Sequence, residues 1–80
     1  MKRPRDLSAR EIVRKLKPLG YKVTRQVGSH MRLTTEDRGQ HHITIPNHRQ
    51  LTIGKINAML WDVARHFGMS RDELMNRLFA

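Results

Sequence analysis

The chain has no cysteine, which excludes a disulfide framework and a thiolate metal site. That absence fits a reducing compartment, and the expected location is the cytoplasm. No window approaches the roughly 18 consecutive apolar residues of a membrane span, so no membrane partner is expected. The leader "MKRPRDL" is basic but has no apolar run behind it, so it does not read as a secretory signal. Internal repeats and low-complexity segments are missing as well. Acidic side chains are scarce, with seven Asp and Glu against sixteen Lys and Arg. They are scattered, and none lies within five residues of His30. Metal-assisted hydrolysis usually recruits carboxylates, so the expectation is no metal and no cofactor.

What remains is a small basic body. The formal net charge is +9 over 80 residues, and it is uneven. Residues 1–38 hold eleven basic and four acidic residues, and residues 39–80 hold five and three. Such a field attracts polyanions, and nucleic acid is favoured over an acidic protein or anionic lipid. A chain this short buries only about 60% of its unfolded surface, enough for one modest core. One domain over residues 1–80 is expected, with residues 1–7 as a basic leader.

Ser8 and Glu11 form a capping box, followed by Ile12, Val13, Leu16 and Leu19 at helical spacing. Pro18 and Gly20 stop this helix, which is expected from Ala9 to Lys17 or slightly past. Its other side carries Arg10, Arg14 and Lys17. "YKVTRQV" alternates, with Tyr21, Val23 and Val27 on one side and Lys22, Thr24 and Gln26 on the other; Arg25 breaks the apolar row. "MRLTT" and "HHITIP" read as two more strands, separated by a turn in which Gly39 is free to take a positive φ. Ile53, Ile56, Leu60, Val63 and Phe67 make a strong helical stripe closed by Gly68. A second capping box, Ser70 to Glu73, opens a last short helix, Arg71–Leu78. The order is α-β-β-β-α plus a terminal helix, an α+β fold with a three-stranded antiparallel sheet and both main helices on its apolar face.

"RQVGSHMRL" holds a conflict of parity. A two-residue Gly28-Ser29 turn would pair Val27 with His30 on one face, yet Val27 belongs to one apolar row and Met31 to the next. The rows agree only if the loop is odd, most simply Gly28-Ser29-His30, or if a bulge intervenes. Either way His30 points away from the core, towards an open face expected to carry Gln26, Arg32, Thr34, His42 and Thr44. His41 and His42 fall on opposite faces and cannot readily share one ion. Trp61 lies off the core stripe and is expected to pack beneath the last helix.

"LKPLGYKVTRQVGSHMRL", then "ITIPNH", then a glycine opening a helix, resemble the HicA-type toxins, the messenger-RNA-cleaving half of small bacterial toxin–antitoxin pairs. Leu16, Gly20, Tyr21, Arg25, Gln26, Gly28, Ser29, His30, Pro46, His48, Gly54 and Ile56 carry the resemblance, which spans about residues 8–67. The leader, Trp61 and the last helix (residues 70–79) depart from the family pattern. The resemblance implies a fold like that of a double-stranded-RNA-binding domain, messenger RNA as substrate and a HicB-type antitoxin as partner. It also implies that the histidine of the "GSH" motif, His30, is the catalytic residue.

RNA supplies its own nucleophile, the 2′-hydroxyl, and an imidazole can act as general base or acid on it near neutral pH. Lys22 and Arg32 are the expected phosphate contacts, with Gln26 on the same face. The backbone of Gly28 and Ser29 is the expected phosphate or oxyanion cradle. His48 reads either as a loop histidine bonded to backbone or as a second acid/base or phosphate ligand. The alternative class is a non-catalytic RNA-binding module of the same fold. Base-edge reading of DNA is disfavoured, because the second helix offers few polar positions suited to it.

Overall fold

The computed structural model describes residues 7–79; residues 1–6 of the basic leader lie outside the described residues. Leu7, grouped with the leader on sequence, is completely buried. The elements run α1 (Ala9–Leu16), a 3-10 turn (Lys17–Leu19), β1 (Lys22–Val27), β2 (His30–Thr35), β3 (His41–Pro46), α2 (Ile53–Phe67) and α3 (Arg71–Phe79). The α-β-β-β-α order with an added helix is the one expected. Among the described residues no helix is long and apolar enough to cross a membrane.

Helix α1 begins at the Ser8–Glu11 capping box, in which each side chain meets the other's backbone amide. Ala9, Ile12 and Leu16 form its buried face. The helix tightens after Leu16 because Pro18 has no N–H to donate, and the chain then turns at Gly20, where φ is +86°. A Cβ on Gly20 would sit 2.7 Å from both Thr35 Oγ1 and Asp37 Oδ2. Those atoms are not free to retreat. Thr35 is fully buried and donates to the Leu19 carbonyl at 2.8 Å, while its oxygen accepts from Asp37 N–H. This knot joins the end of the first helical segment to the end of β2.

The sheet is antiparallel in the order β1-β2-β3. Met31, Leu33, Ile43 and Ile45 project from one face into a core shared with Ile12 and Leu16 of α1, and with Ile56, Leu60 and Val63 of α2. Helix α3 adds Leu74, Leu78 and Phe79 to the same core, so it is a structural wall and not an appendage. Its capping box is formed as expected, Glu73 N–H donating to Ser70 Oγ.

In β1 the expected apolar row is not buried, Val23 being 42% exposed, and in α2 two apolar side chains depart from expectation. Ile53 is 53% exposed: the buried arc of α2 is centred on Ile56, Met59, Leu60, Val63, Ala64 and Phe67, and Ile53 lies at its margin on the first turn. Trp61 is 55% exposed and is not sealed beneath α3. That helix meets α2 through Asn57, one turn earlier, whose Oδ1 accepts from the Arg71 guanidinium.

The β2–β3 turn is fastened to the far end of α2. Arg38 takes a left-handed φ of 59°, rare for a side chain of its size, and donates to the Phe67 carbonyl at 2.7 Å. That bond satisfies one of the last carbonyls of the helix. Replacing Gly20 with Ala combines a disfavoured φ with the overlap on Thr35 and Asp37. The expected cost is about 2–4 kcal/mol, read as a fall in the urea midpoint at unchanged slope; a loss under about 1 kcal/mol would contradict this account of the knot.

Candidate active site

The open face is set by an irregularity in β1. Val23 pairs with Leu33, but the next pair is Arg25 with Arg32, so Thr24 is the extra residue of a β-bulge. Beyond it the parity of β1 is reversed. Gln26 pairs with Met31, and Val27 pairs with His30 across a two-residue Gly28-Ser29 turn. Of the two solutions that parity left open, the structure takes the bulge, with a tight two-residue turn in place of the three-residue loop. Only Gly28 in this turn has a positive φ, +58°, the φ pattern of a type II′ turn. Val27 is also corrected: it is 59% exposed, on the open face beside His30. Gln26 moves to the helix-side row in its place, exposed at the strand's end.

The exchange brings Arg25 to His30. Arg25, Val27, His30, Arg32 and Thr44 line one hollow of about 140 Å³. Arg25 and Arg32 face each other across the two strands, His30 lies two residues along β2 on the same face, and no carboxylate lines the hollow. Gly28, in the turn between Val27 and His30, has open space where a Cβ would be. Arg25 was not singled out as a site residue from sequence. Its only local signal was its break in the apolar row, which is what a bulge produces.

Next to the hollow the open face is knitted together. Thr24 Oγ1 lies 2.8 Å from Thr34 Oγ1, which lies 2.7 Å from His42 Nδ1. Lys22 is placed elsewhere. It pairs with Thr34, four positions along β2 from His30, or about 13 Å at the rise of a strand. It borders a hollow that Glu36 and Asp37 also line, so Lys22 and His30 do not share a site.

His48 lies past the end of β3. Its carbonyl accepts from Ala9 N–H at 3.0 Å, and its N–H bonds the Pro46 carbonyl. Its exposed side chain lines a different hollow, about 420 Å³, with Ser8, Arg10, Asn47 and Arg49. The two hollows share no lining residue, but Asn47 N–H donates to the Ser29 carbonyl and so ties the His48 loop to the hairpin.

His41 and His42 point to opposite faces as expected, and among the described residues no group of three His, Cys, Asp or Glu could hold a metal. His41 instead belongs to a helix-side cluster that the sequence did not disclose. Its Nδ1 is 2.7 Å from the Tyr21 hydroxyl and its Nε2 is 3.4 Å from Asp62 Oδ1. The His66 ring stacks on it at 4.4 Å, and His66 Nε2 meets the Asp37 carbonyl at 2.9 Å. Burial, and secondly the Asp62 carboxylate, hold the Tyr21 hydroxyl well above its ordinary pKa of 10.0.

A family model for the HicA toxin of bacterial toxin–antitoxin systems matches residues 9–68 of the 80. The chain belongs to this family. It is the toxin of a toxin–antitoxin pair, and the match runs from the first residue of α1 to the glycine that closes α2. Helix α3 lies beyond the match although it completes the toxin's core. No curated protein and no solved structure matches the chain.

The Tyr21 cluster generates a test of how the toxin's sheet is held to α2. Unfolded tyrosine loses its proton at about 10, whereas Tyr21 in the fold keeps it to higher pH. In that window the folded state binds more protons, so stability falls as pH rises. Denaturant titrations from pH 9 upward are expected to show this alkaline loss, and to show less of it in Tyr21→Phe. An equal alkaline slope in both proteins would contradict the assignment.

Proposed function

We propose that this toxin is an endoribonuclease that cuts messenger RNA at His30 without a metal ion, and that a HicB-type antitoxin silences it by covering the open sheet face. The observation that carries the reading is the His30 hollow, in which a proton-transfer group shares a helix-free surface with a cross-strand pair of arginines.

The chemistry follows from what each group can do. The imidazole of His30 takes the proton from a ribose 2′-hydroxyl. The freed oxygen attacks the adjacent phosphorus, the bond from phosphorus to the 5′-oxygen breaks, and that oxygen leaves with a proton. The products are a 2′,3′-cyclic phosphate and a 5′-hydroxyl. Arg25 and Arg32 hold the non-bridging phosphate oxygens and stabilise the charge that builds there. The exposed Gly28-Ser29 turn lets the RNA backbone approach closely. His30 can equally serve as the acid for the leaving oxygen, since the same imidazole exchanges protons in both directions. Lys22, at the far end of the sheet, contributes to the general attraction of RNA and not to the scissile phosphate. The toxin acts where messenger RNA is translated, in the cytoplasm.

Replacing His30 with Ala is expected to slow cleavage of a labelled RNA by about 10²–10⁴-fold and to relieve growth arrest on induction. Wild-type products should carry cyclic phosphate ends, and cleavage should survive a chelator. Cleavage by His30→Ala at the wild-type rate would overturn the role of His30, and chelator-sensitive cleavage would overturn the metal-free route.

A further inference from the structure

We infer that Arg10 and Arg49, with His48, form a second phosphate subsite, which holds the RNA strand beside the bond presented to His30. This deepens the proposed function and rests on its claim that the toxin binds RNA.

The hollow is built from two separate segments. Arg10 stands on the first turn of α1, and Asn47, His48 and Arg49 come from the β3–α2 loop. Two backbone bonds clamp these segments together, Ala9 N–H to the His48 carbonyl at 3.0 Å and Leu51 N–H to the Leu7 carbonyl at 3.0 Å. The clamp brackets Arg49 and ends at Ala9, next to Arg10, and Leu7 and Leu51 are both buried. The two exposed guanidiniums therefore project from a fixed base, which reduces the ordering cost of binding.

The lining is complementary to a phosphodiester. Two guanidiniums, an imidazole and a side-chain amide can all donate, and no carboxylate lines the hollow. The Glu11 carboxylate is turned back onto Ser8, accepting from its N–H and its hydroxyl at 3.2 Å each. The helix terminus is not the source of attraction, since Ser8 Oγ and the His48 carbonyl already accept from the Glu11 and Ala9 amides. The volume, about 420 Å³, lies within the range of small-ligand pockets.

Position links this hollow to the cleavage site. His30 pairs with Pro46, and the very next residue, Asn47, donates its N–H to Ser29 and also lines the second hollow. A strand held at His30 and leaving over the Ser29–Asn47 junction meets Arg49, His48 and Arg10 next. The subsite makes binding depend on RNA length without reading bases.

The test uses full-length protein and an uncleavable 2′-O-methyl RNA of about twelve nucleotides, a length typical of single-strand sites. Its affinity is measured across a range of salt concentrations. Arg10→Ala/Arg49→Ala is expected to weaken binding roughly tenfold or more and to lower the salt slope by about 1.4, two phosphate contacts' worth. Arg65→Ala/Arg77→Ala removes the same net charge from α2 and α3 and is expected to leave the slope near that of wild type. The corresponding Gln replacements give the same comparison if the Ala pair fails to fold. Wild-type affinity and slope in the Arg10/Arg49 pair would overturn the subsite, and so would an equal loss in both pairs. Loss of antitoxin binding with RNA binding intact would also overturn it, assigning the hollow to protein docking. His30→Ala is assayed separately: if it still cleaves, the catalytic reading fails while the salt slope still decides the subsite.

Discussion

One extra residue in β1 decides what the open face of this toxin presents. A strand alternates its side chains with period two, so a single inserted residue reverses the destination of everything after it. With Thr24 as that residue, Val23 keeps its place opposite Leu33 while Arg25 and Val27 join Arg32 and His30 on the helix-free side. A regular strand ending in the same turn could not hold Val23 on the core side and Arg25 beside His30 at once. The bulge is itself anchored, since the Thr24 hydroxyl bonds Thr34, and Thr34 in turn meets His42. The cationic hollow thus has a hydrogen-bonded hydroxyl pair next to it on the same face.

The other side of the sheet supplies the rigidity that such a site needs. The Gly20–Thr35–Asp37 knot fixes the start of β1 against the end of β2. Arg38 and His66 fasten the β2–β3 turn to the end of α2, and Tyr21, His41 and Asp62 tie the two edge strands to the same helix. At the opposite end, the Leu7–Ala9 segment is clamped to the loop between β3 and α2. Hairpin, loop and helix start are thereby joined by backbone hydrogen bonds, and the exposed turn between Val27 and His30 is carried on a scaffold fastened at both ends. The proton transfer proposed for His30 needs such rigidity, because small displacements of a base from its proton cost rate.

Much of the fold was legible in the residues because its determinants are local. The two capping boxes, the arc of α2 and the alternation of β3 each lie within one short segment, and each appears as expected. The outward direction of His30 was legible too, because parity forbade it a place in the core under either solution. What parity could not choose was between an odd loop and a bulge, since the two leave His30 outside alike. That choice determines whether Gln26 or Arg25 shares a face with His30, and the hydroxyl contact that accompanies the bulge joins residues ten apart. The cluster of Tyr21, His41, Asp62 and His66 was invisible for the same reason: its members come from three elements and meet only in the folded sheet. Ile53 and Trp61 were misplaced because a helical stripe specifies a direction but not where the neighbouring elements end.

The arrangement around His30 is tested most directly by comparing adjacent residues of β1. Cleavage of one labelled RNA by Arg25→Ala and by Gln26→Ala, each referred to wild type and checked for folding, reads the face on which each side chain acts. Loss of a charge-assisted phosphate contact is worth about 1.5–3 kcal/mol, so Arg25→Ala should lose roughly tenfold or more in kcat/KM while Gln26→Ala stays close to wild type. The reverse pattern, with Gln26 needed and Arg25 dispensable, would contradict the bulged register and the site built on it.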